Sequence, residues 1–183
     1  MHEPGPPLLL TGPLARNLDL ALQLGVPEHV VVNAGHADGT RLRDHGRFGQ
    51  EGDERACALL VECGWHGHAL SRTVAADLCD RLLCGSGVVD ASDLPRAAGQ
   101  TPAPPKQRAL EVTHAVVARS MDTRFAQAWR GAQRIARAGT VLGWREGEPF
   151  VTPYDDCTLV MPSLRQLRPG VTVMRLAQTT RKN

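Results

Sequence analysis

The run from Leu8 to Val32, LLLTGPLARNLDLALQLGVPEHVVV, decides the fold. Leu8-Leu-Leu10 is an unbroken apolar triplet and reads as a short buried strand. Gly12-Pro13 then opens a helix, where proline costs nothing because the first-turn amides are unpaired anyway. Leu14, Leu18, Ala21 and Leu22 share one face at helical spacing, which predicts a helix from Pro13 to about Leu24, stopped by Gly25 and Pro27. Val30-Val-Val32 is β-branched and bounded by polar residues, hence a second strand. Strand, helix and strand in succession belong to an α/β layer architecture.

Working outward, Gly35 to Gly52 contains five glycines and mixed charges and reads as a loop. Ala56-Cys-Ala-Leu-Leu-Val61 has no polar alternation, as expected of a strand covered on both faces of a mostly parallel sheet, and it delivers Glu62 at its C-terminal end. Leu70, Val74, Leu78 and Leu82 recur every four residues and predict an amphipathic helix from Leu70 to Cys84, ending at Gly85. Pro95 to Pro105 holds four prolines among small residues and reads as an extended spacer. Beyond it Leu110 to Val117 alternates, Gly139 to Trp144 and Cys157 to Met161 are strand-like, and Val171 to Leu176 closes the set. Asp122 to Ala138 scores as helix locally, but short β domains override such weak preferences, and the segment stays undecided. The plan is therefore an α/β body over residues 1–93, a linker over 94–108 and a small all-β domain over 109–183.

The 183 residues are 42% hydrophobic but only 4% aromatic, enough for one ordinary domain or two small ones, and neither disordered nor collagen-like. A formal charge of +2 provides no overall field for nucleic acid or anionic lipid. The balance hides a split: residues 1–93 carry seven basic and 13 acidic side chains, net −6, against fourteen and six, net +8, in residues 94–183. The longest apolar run, Ala56 to Val61, falls far short of the roughly 20 residues that span a bilayer. No basic segment followed by an apolar core opens the chain, so a cytoplasmic location without membrane contact is expected. Five cysteines without a CxxC pair read as idle thiols in a reducing compartment.

Several residues bear on chemistry. Glu62 sits where a strand end meets a loop, the usual place for catalysis in open α/β sheets, and fits either a general base or a capping, salt-bridging glutamate. Cys63, His66 and His68 form a C-x2-H-x-H cluster of zinc's preferred ligand types, but its spacing matches no common closed site. His36 and His45 flank the glycine-rich loop as hydrogen bonders. Glu111 and His114 imitate an ExxH pair, yet a three-residue step on a strand sends them to opposite faces. Arg41, Arg43 and Arg47 suit bidentate recognition of carboxylate or phosphate, and equally suit a solvated loop pairing with Asp38, Asp44 and Glu51. No histidine has glutamate at +3, and no Walker A, GxGxxG or GxSxG pattern occurs.

Val30-Val-Val-Asn-Ala-Gly-His36 with Arg41-Leu-Arg-Asp44, then Ala58-Leu-Leu-Val-Glu-Cys-Gly64, Gly139-Thr-Val, Thr152-Pro-Tyr154-Asp-Asp-Cys157, Met161-Pro162 and Pro169-Gly170 resemble the succinylglutamate desuccinylase/aspartoacylase family. Its members are zinc-dependent deacylases related in fold to the zinc carboxypeptidases. The resemblance covers nearly the whole chain, and Leu-Val-Glu-Cys-Gly is its most specific piece. It implies a partial zinc-carboxypeptidase-like three-layer α/β sheet domain followed by a small β domain, with Glu62 as the base that activates zinc-bound water. It also implies Tyr154 reaching the active site from the β domain, and Arg41 or Arg43 holding the carboxylate of a small anionic N-acyl amino acid.

Family members bind zinc through an HxxE motif and a later histidine, and Met1 resembles the methionine just past the third ligand. The resemblance thus implies a chain that carries the C-terminal two thirds of a deacylase, holds none of the Zn²⁺ ligands and is inactive alone. The family's Gly-Gln-His-Trp is replaced by Gly64-Trp-His-Gly67. Three strands and two helices leave an apolar sheet edge exposed, so the chain is expected to pair with a further copy of itself or with a missing N-terminal segment. A non-catalytic binding or scaffold remnant is the alternative. A lipoyl- or biotinyl-like carrier fails for want of a lysine at a hairpin tip, since the only lysines are Lys106 and Lys182.

Overall fold

A computed structural model describes residues 1, 3–35, 40–94 and 101–180. The chain divides into two compact units, one formed by Pro7–Ala109 and the other by Met1–Pro6 together with the chain from Leu110 onward.

In the first unit, β1 (Leu8–Thr11) and β2 (His29–Val32) run parallel, Leu9 opposite Val30, and the helix between them, α1, spans Ala15–Gln23. A helix between two parallel strands is the connection that a strand-helix-strand sequence builds. The third strand, β3, departs from expectation twice. It covers only Leu60–Glu62, and it runs antiparallel to β1, with Leu10 opposite Leu60 and Leu8 opposite Glu62.

The shortening has a physical cause. Upstream backbone groups are claimed by α1 side chains instead of a ladder: Arg16 Nε donates to Ala56 O at 2.9 Å, and the Ala58 amide donates to Asn17 Oδ1 at 3.1 Å. Leu60 is 38% exposed, so the strand is not covered on both faces.

Helix α2 spans Leu70–Gly85. Val74 and Leu78 of α2 join Leu9, Val30, Ala21 of α1 and Leu24 just after it in one core. Asp77 is buried within α2 and accepts from Arg81 Nε at 3.0 Å, while Arg81 Nη1 reaches Leu24 O at 3.1 Å and ties α2 to the end of α1. Of the proline-rich spacer, 95–100 lie outside the described residues; Gln107 Nε2 already bonds Pro27 O at 2.9 Å, and Arg108 begins the next strand.

The second unit is all β. Strands β4 (Arg108–Val117), β10 (Thr172–Thr179), β9 (Cys157–Val160) and β6 (Arg134–Ile135) pair antiparallel in that spatial order. A second sheet orders β5 (Thr123–Phe125), β7 (Val141–Arg145) and β8 (Glu148–Val151), with Glu146-Gly147 turning between the last two. Between them lies a core that includes Leu142, Phe150, Leu159 and Met174. The undecided segment from Asp122 to Ala138 supplies β5 and β6 and no helix: ladder pairing of Thr123 with Arg145 and of Ile135 with Cys157 outweighs the local alanine propensity. No helix among the described residues is long and apolar enough to cross a membrane, and all five cysteines are free.

Candidate active site

Glu62 ends β3 level with Leu8, and Gly64 turns the chain away immediately afterwards at φ 98°, a backbone conformation glycine adopts without strain. The strand thereby stops at the carboxylate and leaves it half-buried at the sheet margin. Burial, with the Glu62 carboxylate beside it, pushes the Cys63 thiol up from its ordinary value.

Of the C-x2-H-x-H cluster, His68 serves the chain itself. His68 Nδ1 accepts from the Leu70 amide at 3.2 Å, and Ser71 Oγ donates to Trp65 O at 2.7 Å, together closing the first turn of α2. Among the described residues no group of three or more His, Cys, Asp or Glu side chains stands together to hold a metal ion. They do not fit a zinc cage.

Arg41 and Arg43 come together in one short 3₁₀ turn, Leu42–Asp44, closed by the Asp44 amide on Arg41 O at 2.9 Å. Arg43 is only 5% exposed, donates from Nη2 to Asn33 O at 2.9 Å, and stands 3.3 Å from Asp44 Oδ2 through Nε. Burial pulls its pKa down, Asp44 opposes that, and Arg41 adds to it. Asn33 follows β2 and its amide bonds Thr11 O at 3.0 Å, so Arg43 is anchored at the Thr11 end of β1 while Glu62 lies at the Leu8 end. Three residues of strand, about 10 Å, separate those two levels.

Arg47 is solvated and pairs with Asp53 at 2.9 Å, the bland outcome for that residue. His36 and Asp38 lie outside the described residues.

Tyr154 belongs to the β unit. Its hydroxyl is 2.6 Å from Thr113 Oγ1, and Thr113 in turn meets His114 Nδ1 at 2.9 Å. Burial pushes the phenol pKa up, against the lowering effect of the Thr113 bond. Sequence reasoning missed Thr113 and Asn33; only the alternation of β4 hinted that Thr113 shares a face with Glu111 and Ala115.

Solved structures of low sequence identity share this architecture. Succinylglutamate desuccinylase from Vibrio parahaemolyticus matches with a TM-score of 0.64 at 17% identity, over 97% of this chain and 51% of that one. The Vibrio cholerae succinylglutamate desuccinylase gives 0.67 at 15%, over 96% and 50%. A succinylglutamate desuccinylase/aspartoacylase from Rhodobacter sphaeroides gives 0.62 at 15%, over 97% and 55%. The chain has the succinylglutamate desuccinylase/aspartoacylase fold. It spans about half the length of these structures. No family model matches the sequence, and no curated protein is similar to it.

Proposed function

We propose that the chain supplies part of a deacylase that hydrolyses the amide bond of an N-acyl amino acid. Glu62 is its general base, Arg41 or Arg43 the clamp for a substrate carboxylate, and Tyr154 a further substrate contact. The single observation that supports this is a glutamate ending a strand inside the fold of desuccinylases and aspartoacylases. In the reaction Glu62 accepts the proton of the attacking water and returns it to the departing amine, so that water adds across the amide and no proton is gained or lost.

Bulk water is far too weak an acid for a carboxylate to deprotonate. The zinc dependence implied by the resemblance therefore needs ligands other than the described residues, and we expect the 183-residue chain alone to hydrolyse nothing.

The test is amine release from N-acetyl, N-succinyl and longer N-acyl amino acids by zinc-loaded protein expressed from the complete reading frame, with and without Glu62→Gln. A loss of at least 10³-fold is expected for the variant; turnover at the wild-type rate would remove Glu62 from the chemistry. Tight binding without turnover in the wild type would mark a binding module on a deacylase fold.

A further inference from the structure

Helix α2 carries two apolar stripes, and the core of the α/β unit takes only one. Val74 and Leu78 enter that core, with Asp77 buried beside them. At about 100° per residue, steps of four overrun the helical repeat by about 40° each, so Leu82 rolls off the buried side and stands 42% exposed. Leu83 is 38% exposed, and Cys79 is exposed as well. With Ala75 and Ala76 they form a second stripe, spaced three and four residues apart and centred about 140° round the helix from Val74. No charge interrupts it after Arg72. Asp77 is buried, Arg81 is held by Asp77 and Leu24 O, and Asp80 lies about 100° round the helix from Cys79.

The apolar surface continues beyond the helix. Leu82 lines one hollow with Leu60, Phe48 and Leu42, and Leu42 is 88% exposed. A contiguous patch of this kind gains from being covered by protein.

The layout of the stripe selects the occupant. Cys79 is its midpoint, with Ala75 and Ala76 one turn before it and Leu82 and Leu83 one turn after. Ala75 and Leu82 are seven residues apart and share one flank; Ala76 and Leu83 share the other. A second copy laid antiparallel about a two-fold at Cys79 therefore sets Leu82 on the partner's Ala75 and Leu83 on the partner's Ala76, large against small on both flanks. Charge selects the same direction. Arg72, exposed in the first turn of α2, comes to the end after which Asp90 and Asp93 stand exposed, whereas a parallel copy would set arginine beside arginine. The helix dipoles oppose one another in the same arrangement.

We infer that the outer face of α2 is a self-association surface, and that two copies of this chain dimerise through antiparallel α2 helices meeting at Cys79. The inference owes nothing to the deacylase reading.

Sedimentation equilibrium of the reduced chain over a hundredfold range of concentration is expected to show a monomer–dimer equilibrium. Helix axes about 8–10 Å apart leave the two facing Cys79 Cα atoms roughly 4–5 Å apart, within disulfide reach. Oxidation with copper–phenanthroline should therefore join the chains through Cys79, as read by peptide mass spectrometry. Leu83→Asp, at an exposed position, should weaken the dimer at least tenfold with the circular dichroism unchanged. Ala76→Leu occupies the place of the partner's Leu83 and should weaken it by a similar factor. Adding Leu83→Ala to that variant should restore the dimer to within about threefold, a rescue that misfolding does not produce. A monomer at every concentration, a dimer indifferent to Leu83→Asp, absence of rescue, or joining through other cysteines overturns the inference. Glu62→Gln should leave the dimer intact, so failure of the deacylase reading shows in turnover and failure of this one in sedimentation.

Discussion

Thr113 Oγ1 stands 2.6 Å from Tyr154 Oη and 3.2 Å from Leu176 O, and its proton can turn from the carbonyl to the phenolate oxygen when Tyr154 ionises. Tyr154 is the chain's only tyrosine, which makes its ionisation directly visible as tyrosinate absorbance near 295 nm. Burial raises the phenol pKa and the Thr113 bond lowers it. Thr113→Val removes the lowering contribution and is expected to move the titration to higher pH with the fold intact. A titration unchanged or moved downward would mean that Thr113 does not hold Tyr154.

Gly143 pairs with Phe125 and Phe150 in the three-stranded sheet, and a Cβ there would run into Arg124 O and the Phe150 ring. One of these obstacles is backbone, which yields less readily than a side chain. Gly143→Ala is expected to cost about 1–3 kcal/mol, as overpacking does in a filled core, read as a lowered urea midpoint at unchanged slope. A gain in stability would show that the two strands are free to separate.

The helices, the first two strands and the β character of the second half are legible in the sequence because each rests on local periodicity or β-branching: Leu9 and Val30 are buried, as their runs predict, and α2 ends at Gly85. What long-range bonding decides is not legible. Nothing local reveals that Arg16 and Asn17 take over the backbone groups of Ala56 and Ala58, or that β3 turns antiparallel to β1. For the candidate site, Glu62 is visible as a strand-end acid and the arginines as a basic group. The anchoring of Arg43 on Asn33 O, ten residues earlier, is announced by no spacing.

His29 illustrates a buried base that costs stability in acid. Burial lowers its pKa below the usual 6.5, with Glu28 opposing and Arg108 assisting. Between the folded value and about 6.5 the unfolded chain binds more protons than the folded one, so stability is fully present above 6.5 and declines as pH falls through that window. The urea midpoint of the wild type is expected to fall between about pH 7.5 and 5.5 by more than that of His29→Gln. Parallel pH profiles would mean that His29 titrates in the folded chain as it does unfolded.

Arg16 carries the connection between α1 and the chain that leads to Glu62. Its Nε holds Ala56 O at 2.9 Å, and its Nη2 reaches Gln50 O at 2.7 Å and Phe48 O at 3.2 Å. With Arg47 O at 3.4 Å as well, one guanidinium satisfies four carbonyls along a segment whose only regular structure among the described residues is the short 3₁₀ turn at Gly46–Phe48. Hydrogen bonds to a charged group contribute about 1.5–3 kcal/mol in total effect when one is lost, the exposed members least. Arg16→Ala is therefore expected to lower stability by roughly that amount. Because the bonds are local to this segment, amide exchange should quicken first over residues 48–58, while β9 and β10 of the β unit keep their protection. Arg16→Lys, with a single point of donation in place of the fork, should recover only part of the loss. Uniform acceleration of exchange across both units would show that the arginine supports the whole fold and has no special hold on the approach to Glu62.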